Sequence, residues 1–560
     1  MRLHPIVVIS CGAAAMFAAS AQAQDILSSG GQAWLRETLL TGRTDLRWPD
    51  FSDYTDHVAK FYALSGDSLW WVKGREPSAE ARQMIALFER ADEKGLSADD
   101  YDGGRWSARL AKLKPATSSP READAAAFDL ALTVCAMRYV SDLHIGKVNP
   151  NRLAFAFDAQ SKKYDLPEFL RDHVVLADDV AAALSQVEPP YPGYRRTVQA
   201  LRRYLRMVKQ DDGEPLPPPA SASKKTIASG DVYPGVPRLV HLLRLLGDLP
   251  ADVNVQPDRA VYDGALVEAV RNFQRRHGRE PNGRIDRETL ADLNVPLAQR
   301  AQQMGLALER WRWLPADYQT PLIVVNIPEF RLRAYDEDFK VAIAMKVVVG
   351  NSYGHDTPVF HSTMTYVVFR PYWHVPRSIV QNELVPHLRK DPEYLSKGDF
   401  EITDGQESVV NPEVVTADIL NELRGGRLFI RQRPGPANAL GLIAFMFSNS
   451  YNVYMHDTPE RELFANSRRD FSHGCIRLEN AFDLAEWVLR GNPGWTPDRI
   501  RAALNDAATQ QVDLVHPIPV GIVYATAVVS EDGVVHFFDD IYGHDAALQR
   551  ALAKGYPYPQ

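Results

Sequence analysis

The stretch Leu322–Gly350, LIVVNIPEFRLRAYDEDFKVAIAMKVVVG, decides the fold class of the C-terminal half. Leu322 to Ile327 is an apolar run broken only by Asn326. Phe330, Leu332 and Ala334 then alternate with Arg331, Arg333 and Tyr335, and Val341, Ile343, Met345, Val347 and Val349 alternate again. A period of two is the strand period, because successive side chains of a strand leave on opposite faces. Thr363 to Phe369 and Val453 to Met455 continue the pattern. From Pro321 onward the chain therefore reads as an antiparallel-rich β domain. It is interrupted from about Ile379 to Arg431 by a mixed segment of helical character without catalytic candidates, and a long insertion inside a sheet domain reads as a lid.

Upstream the period changes. Ala81, Ile85 and Phe88 repeat at helical spacing, with Ser78 as N-cap and Gly95 as stop. Tyr194, Val198, Leu201, Leu205 and Val208 do the same. Trp70, Trp71 and His144 read as packing residues. Residues 211–230, DDGEPLPPPASASKKTIASG, lose all periodicity and read as a linker or long loop. Three short helices follow. Val236, Leu239, Val240, Leu243 and Leu246 make one face, and Leu266, Ala269, Val270 and Phe273 a second, ending at His277-Gly278. Asp286 caps a third helix that contributes Leu290 and Leu293.

A chain of 560 residues calls for several cores. Its net charge of −8 provides no basic surface for nucleic acid. Arg2, the apolar stretch Ile6 to Ala19 and Ala21-Gln22-Ala23 describe a secretory signal peptide over residues 1–23, too short in its apolar part to span a bilayer. The expected mature chain is exported, without stable membrane insertion. It keeps two of the three cysteines, Cys135 and Cys475. Cys135 falls on the helical stripe Phe128, Leu132, Cys135, Tyr139 and reads as a small buried hydrophobe. Cys475 falls on no stripe, and an unpaired thiol in an oxidising compartment implies use.

The chemistry concentrates in His456–Arg477, HDTPERELFANSRRDFSHGCIR. A thiol attacks as thiolate, and an imidazole can remove its proton, so Cys475 is the candidate nucleophile and His456 its candidate base. Gly474 lets a backbone N–H approach a developing oxyanion. His473 lines the same pocket, and Arg477 offers a fixed charge to a carboxylate-bearing substrate. Asp457 follows His456 directly and is a candidate orienter, a role a backbone carbonyl could equally fill. Ser472, Tyr454 and Trp373 complete the candidate substrate contacts. A metal site from His456, Asp457, His473 and Cys475 lacks the paired spacings of zinc sites, and no cofactor is implied. The cysteine signature of papain-type proteases is absent.

His456, fifteen residues, then Ser472-His473-Gly474-Cys475 resembles the motif of the YkuD-type L,D-transpeptidase catalytic domain. LIVVNIPEFRLRAYD, MKVVVGNSYGHDTPVFHSTMTYVVFRPYWHVP, RPGPANALG, NVYMHDTP, the N-terminal LWWVKG and HIGKVNP, and the terminal FFDDIYGHD resemble its large YcbB-like branch. Tyr372-Trp373-His374 departs from the branch in its basic third residue. YDGALVEAVRNFQRRHGREPNGRIDRETLADLN resembles the three-helix peptidoglycan-binding domain. The resemblance implies a multidomain α+β chain: a helical scaffold domain (24–225), a peptidoglycan-binding-like three-helix module (226–296), a helical connector (297–319) and a catalytic domain (320–560) with a capping insertion (379–431). It also implies peptidoglycan stem peptides as partners, a tetrapeptide donor and a diaminoacyl acceptor, with other cell-wall synthesis proteins as further candidates. Cys475 would form a thioester with the third stem residue, D-alanine would leave, and a side-chain amine would give a 3→3 cross-link. An L,D-carboxypeptidase that passes the same acyl-enzyme to water, and a non-catalytic wall-binding scaffold, remain open at this stage. Carbapenems are the β-lactams the resemblance implies as acylating agents.

Overall fold

The computed structural model describes residues 27–555 except 42, 44, 67, 74–75, 114–121, 158–161, 163–164, 220–224, 257–258, 316–317, 392 and 411–413. The expected signal peptide lies outside the described residues. The chain divides into two compact units, one of residues up to 89 with 101–138 and 165–184, the other of 90–100, 139–164 and 185–560.

The first unit is helical. Ser78 caps Ala79–Glu89 as its sequence position requires, its Oγ accepting from Ala81 N at 3.1 Å. Asp129, wholly buried, accepts from Tyr62 Oη at 2.7 Å and Trp71 N at 2.6 Å, while Trp71 Nε1 donates to Thr133 Oγ1 at 3.0 Å. Desolvation raises its carboxyl to about 7, against the pull of those bonds. Cys135, on the helix Glu122–Ile145, is 1% exposed, and burial raises its thiol to about 12. A thiol in that setting packs and does not react.

The second unit contains the expected three-helix module, with helices Val236–Leu246, Gly264–Arg276 and Arg287–Leu293. Asp286 Oδ1 caps the third by accepting from Thr289 N at 2.8 Å. The module also has a short antiparallel strand pair, Asp231–Val232 with Val261–Tyr262, that helical periodicity gave no sign of. The described residues of 211–230 are not a free linker. Leu216 and Ile227 are 3% exposed within the module's core cluster, Leu216 N donates to Asn294 Oδ1 at 2.6 Å, and Ile227 bridges to Ile285. Isolated apolar residues in an aperiodic segment carry no periodic signal, so only the packing reveals them.

The β domain is a ring of eight strands. In order they are Ile443–Phe447, Met455–His456, Ile476–Leu478, Val341–Gly350, Arg331–Tyr335, Leu322–Asn326, Gln510–Val523 and Val359–Phe369, and the last pairs back with the first. Two neighbouring pairs are parallel, Met455–His456 with Ile476–Leu478 and Leu322–Asn326 with Gln510–Val523. Closure leaves an interior filled by Val325, Leu332, Val347, Val367, Phe445, Met455 and Ile476. The alternation over 341–349 is incomplete. Met345, Val347 and Val349 are buried as the period requires, but Val341 is 40% exposed.

The insertion has a sheet of its own, Trp373–His374 paired with Phe429–Gln432 and the latter with Phe400–Thr403. Helices Val385–Lys390 and Ala417–Gly425 flank it over a separate core that includes Val380, Leu384, Leu388, Ile402, Leu423 and Ile430. Because Trp373 pairs with Gln432, the insertion leaves and rejoins the β domain at one place.

Candidate active site

The strand Asp470–Ser472 runs parallel to Val341–Gly350, the chain turns at His473-Gly474-Cys475, and Ile476–Leu478 enters the ring beside Met455–His456. The register pairs Met455 with Ile476 and His456 with Arg477. Strand alternation then puts Cys475, two residues before Arg477, on the face that His456 and Arg477 share. Tyr454 precedes His456 by two and belongs to the same face, its ring centroid 5.8 Å from that of His456.

His456 is 4% exposed, and its Nδ1 lies 2.5 Å from Asp457 O. A carbonyl only accepts, so Nδ1 carries the proton and Nε2 keeps its lone pair, the tautomer a base needs. The orienter is therefore the main chain of Asp457. Its carboxylate serves elsewhere, accepting from Leu442 N at 2.9 Å and from Arg461. Burial first, then the charge of Arg477, lowers His456 to about 3, against the opposing pull of the Asp457 carbonyl. Cys475 is half-buried, and its thiol is raised to about 11 by desolvation although a bond from the Tyr454 backbone and the charge of Arg477 pull it down. Both shifts favour neutral forms, so the resting pair is thiol and imidazole, and proton transfer must accompany attack.

The turn is internally braced. Gly474 has φ +112°, which L side chains rarely adopt, although a Cβ there would meet nothing nearer than 3.8 Å. Conformation, not space, requires the glycine. Gly474 N donates to Ser472 Oγ at 3.1 Å, and Ser472 Oγ donates to Cys475 O at 2.6 Å. Ser472 is 2% exposed, so it shapes the turn and is not the substrate contact its position suggested. Arg477 is ion-paired with Glu460, so it does not offer a free cation as expected from its sequence position. Trp373 sits at the base of the insertion on the strand paired with Phe429–Gln432, away from the turn in sequence order and within the insertion's own cluster.

His473 joins the turn to the insertion. Its Nε2 lies 2.6 Å from Glu383 Oε1, and its ring stands edge-on to His355 with centroids 4.9 Å apart. Glu383, from a segment that reads as free of catalytic candidates, was not identifiable, since one glutamate in a charged helical stretch carries no signal. His355 did carry one: the tetrapeptide HDTP occurs at 355–358 and again at 456–459. Among the described residues, no group of three or more His, Cys, Asp or Glu side chains is placed to hold a metal ion, and no helix is long and apolar enough to cross a membrane.

The site is thus a cysteine turn on a closed β domain, beside the strand that carries a tautomer-fixed histidine. Residues 320–496 match the family described as "L,D-transpeptidase catalytic domain", residues 233–293 that described as "Putative peptidoglycan binding domain", and residues 56–201 that described as "Scaffold domain". The chain thus carries an L,D-transpeptidase catalytic domain, a peptidoglycan-binding domain and a scaffold domain in one α+β polypeptide. A Haemophilus influenzae protein named "Putative L,D-transpeptidase" is 32% identical over 250 residues, 45% of this chain and 49% of that protein. The alignment spans about half the length of that relative.

Proposed function

We propose that this protein is a peptidoglycan L,D-transpeptidase forming 3→3 cross-links through a thioester on Cys475. The observation that carries the reading is that Cys475 immediately precedes the strand Ile476–Leu478, which runs parallel to and beside Met455–His456, with the His456 tautomer set by Asp457 O. Cys475 Sγ attacks the carbonyl of the third residue of a tetrapeptide stem while His456 Nε2 takes the thiol proton. The tetrahedral intermediate collapses, the bond to D-alanine breaks, and His456 returns the proton to the departing amine. The side-chain amine of a third residue on a second stem then attacks the thioester, His456 accepts its proton, and the thiol is regenerated. The backbone N–H of Cys475 and the neighbouring His473 stabilise the oxyanion, whereas the Gly474 N–H expected to share that role is bonded to Ser472 Oγ.

The small three-helix module would hold the enzyme on its polymer. Arg2, the apolar Ile6 to Ala19 and Ala21-Gln22-Ala23 support export to the periplasm, where that polymer lies. Incubation of the purified protein with a disaccharide-tetrapeptide tests the reading. Cross-linked dimer supports it, tripeptide monomer alone makes the protein an L,D-carboxypeptidase, and unchanged substrate refutes enzymatic action on this donor.

A further inference from the structure

We propose that Thr357 and Tyr542 are positioning residues that aim the Cys475 backbone N–H at the oxyanion, an inference that rests on the acyl-transfer reading above. Thr357 is wholly buried, and its Oγ1 lies 2.8 Å from both Gly350 N and Gly474 O. Gly350 N–H can only donate, so the Thr357 hydroxyl must send its own proton to Gly474 O. That carbonyl belongs to the peptide whose N–H is that of Cys475. In a trans peptide the two point in opposite directions, so anchoring the oxygen fixes where the N–H aims. No acceptor for Cys475 N is present among the described residues, whereas Gly474 N is already committed to Ser472 Oγ. Of the two backbone donors at Gly474 and Cys475, the free one is therefore the one Thr357 orients.

Tyr542 holds Thr357 in turn. Its hydroxyl donates to Gly350 O at 2.5 Å and accepts from Thr357 N at 3.3 Å, clamping both ends of the loop that carries Thr357. Tyr542 N donates to Tyr524 Oη at 3.0 Å, and Tyr524 Oη donates to Asp540 Oδ1 at 2.7 Å. The loop has little slack. A Cβ on Gly350 would lie 1.9 Å from His355 O, 2.8 Å from Thr357 N and 3.0 Å from Gly474 Cα, so three backbone segments touch at this point. Tyr542 lies beyond residue 496, where the catalytic-domain match ends, so the C-terminal segment reaches back to brace the nucleophile turn.

The test compares two reactions of one thiol. Alkylation by iodoacetamide needs thiol and base but creates no oxyanion, whereas acylation by the tetrapeptide donor or by a β-lactam carbonyl does. Thr357→Val should lower the acylation rate about 10- to 100-fold and leave alkylation within about two-fold, Thr357→Ser should restore acylation to within about three-fold, and Tyr542→Phe should fall between. If Thr357→Val does not fold, Tyr542→Phe carries the test alone. Acylation at the wild-type rate in Thr357→Val, or in Tyr542→Phe where that variant carries the test, overturns the proposal, as does a parallel loss of alkylation and acylation, which would mark a merely structural role. If the wild-type thiol is alkylated but acylated by neither carbonyl reagent, the functional reading itself falls and takes this inference with it.

Discussion

Removing the Glu383 carboxylate tests whether the insertion guards the thioester. Among the described residues, the insertion meets the catalytic turn through a hydrogen bond between Glu383 Oε1 and His473 Nε2, at 2.6 Å. Both side chains face solvent in part, at 45% and 36% exposure, so the contact is screened and worth about 0.2–1 kcal/mol. Lost from the equilibrium between an engaged and a released insertion, that energy changes the ratio of engaged to released forms about 1.4- to 5-fold. A released insertion admits water to the acyl-enzyme, so Glu383→Ala should lower the ratio of cross-linked dimer to tripeptide by about that factor. The burst of D-alanine, which reports acylation, should change less than about two-fold, because Glu383 touches neither Cys475 nor His456. Glu383→Gln keeps an acceptor oxygen without the charge and should fall between. An unchanged product ratio in Glu383→Ala refutes the reasoning.

Cys475→Ser should lose turnover while keeping its fold, because an alkoxide is far harder to form than a thiolate; near-normal dimer formation by that variant would contradict the mechanism. Cys135→Ser should cost stability, read as a lower thermal midpoint, and leave specific activity intact, since Cys135 is 1% exposed and serves as packing. The folded pKa of His456, about 3, lies below its ordinary 6.5, so the native state binds fewer protons and loses stability as pH falls from 6.5 toward 3. By pH 5 that loss is about 2 kcal/mol, so wild type should destabilise more steeply on acidification than His456→Gln, and parallel denaturation curves from pH 7 to 5 would count against the buried neutral imidazole. Replacing 373–432 by a Gly/Ser bridge, possible because Trp373 and Gln432 are paired, should shift products from dimer to tripeptide while Cys475 is still acylated, and a wild-type product ratio would dismiss the insertion as the water barrier. Intact-protein mass spectrometry should find a carbapenem adduct on the wild type, and an equal adduct on Cys475→Ala would place that reaction elsewhere.

The sequence by itself determined whatever rests on neighbours in the chain. Alternation over 330–335 set a strand with Leu332 and Ala334 inward, Ser78 and Asp286 capped the helices they precede, and the stripe through Cys135 marked that thiol as core. His456 and the turn at Cys475 were legible as one candidate site, because residue types and short spacing carry it, and the structure places their strands side by side. Only the tertiary structure decided what acts across distance. It bound Leu216 and Ile227 of an aperiodic segment into the module's core, decided between the Asp457 carboxylate and a backbone carbonyl as the orienter of His456 in favour of the Asp457 carbonyl, and turned Ser472 inward. Glu383 to His473, Thr357 to Gly474 and Tyr542 to Gly350 are separated by 90, 117 and 192 residues. Period and motif describe the chain's local preferences, whereas these contacts exist only because ring closure and the insertion's return bring remote segments within hydrogen-bonding distance.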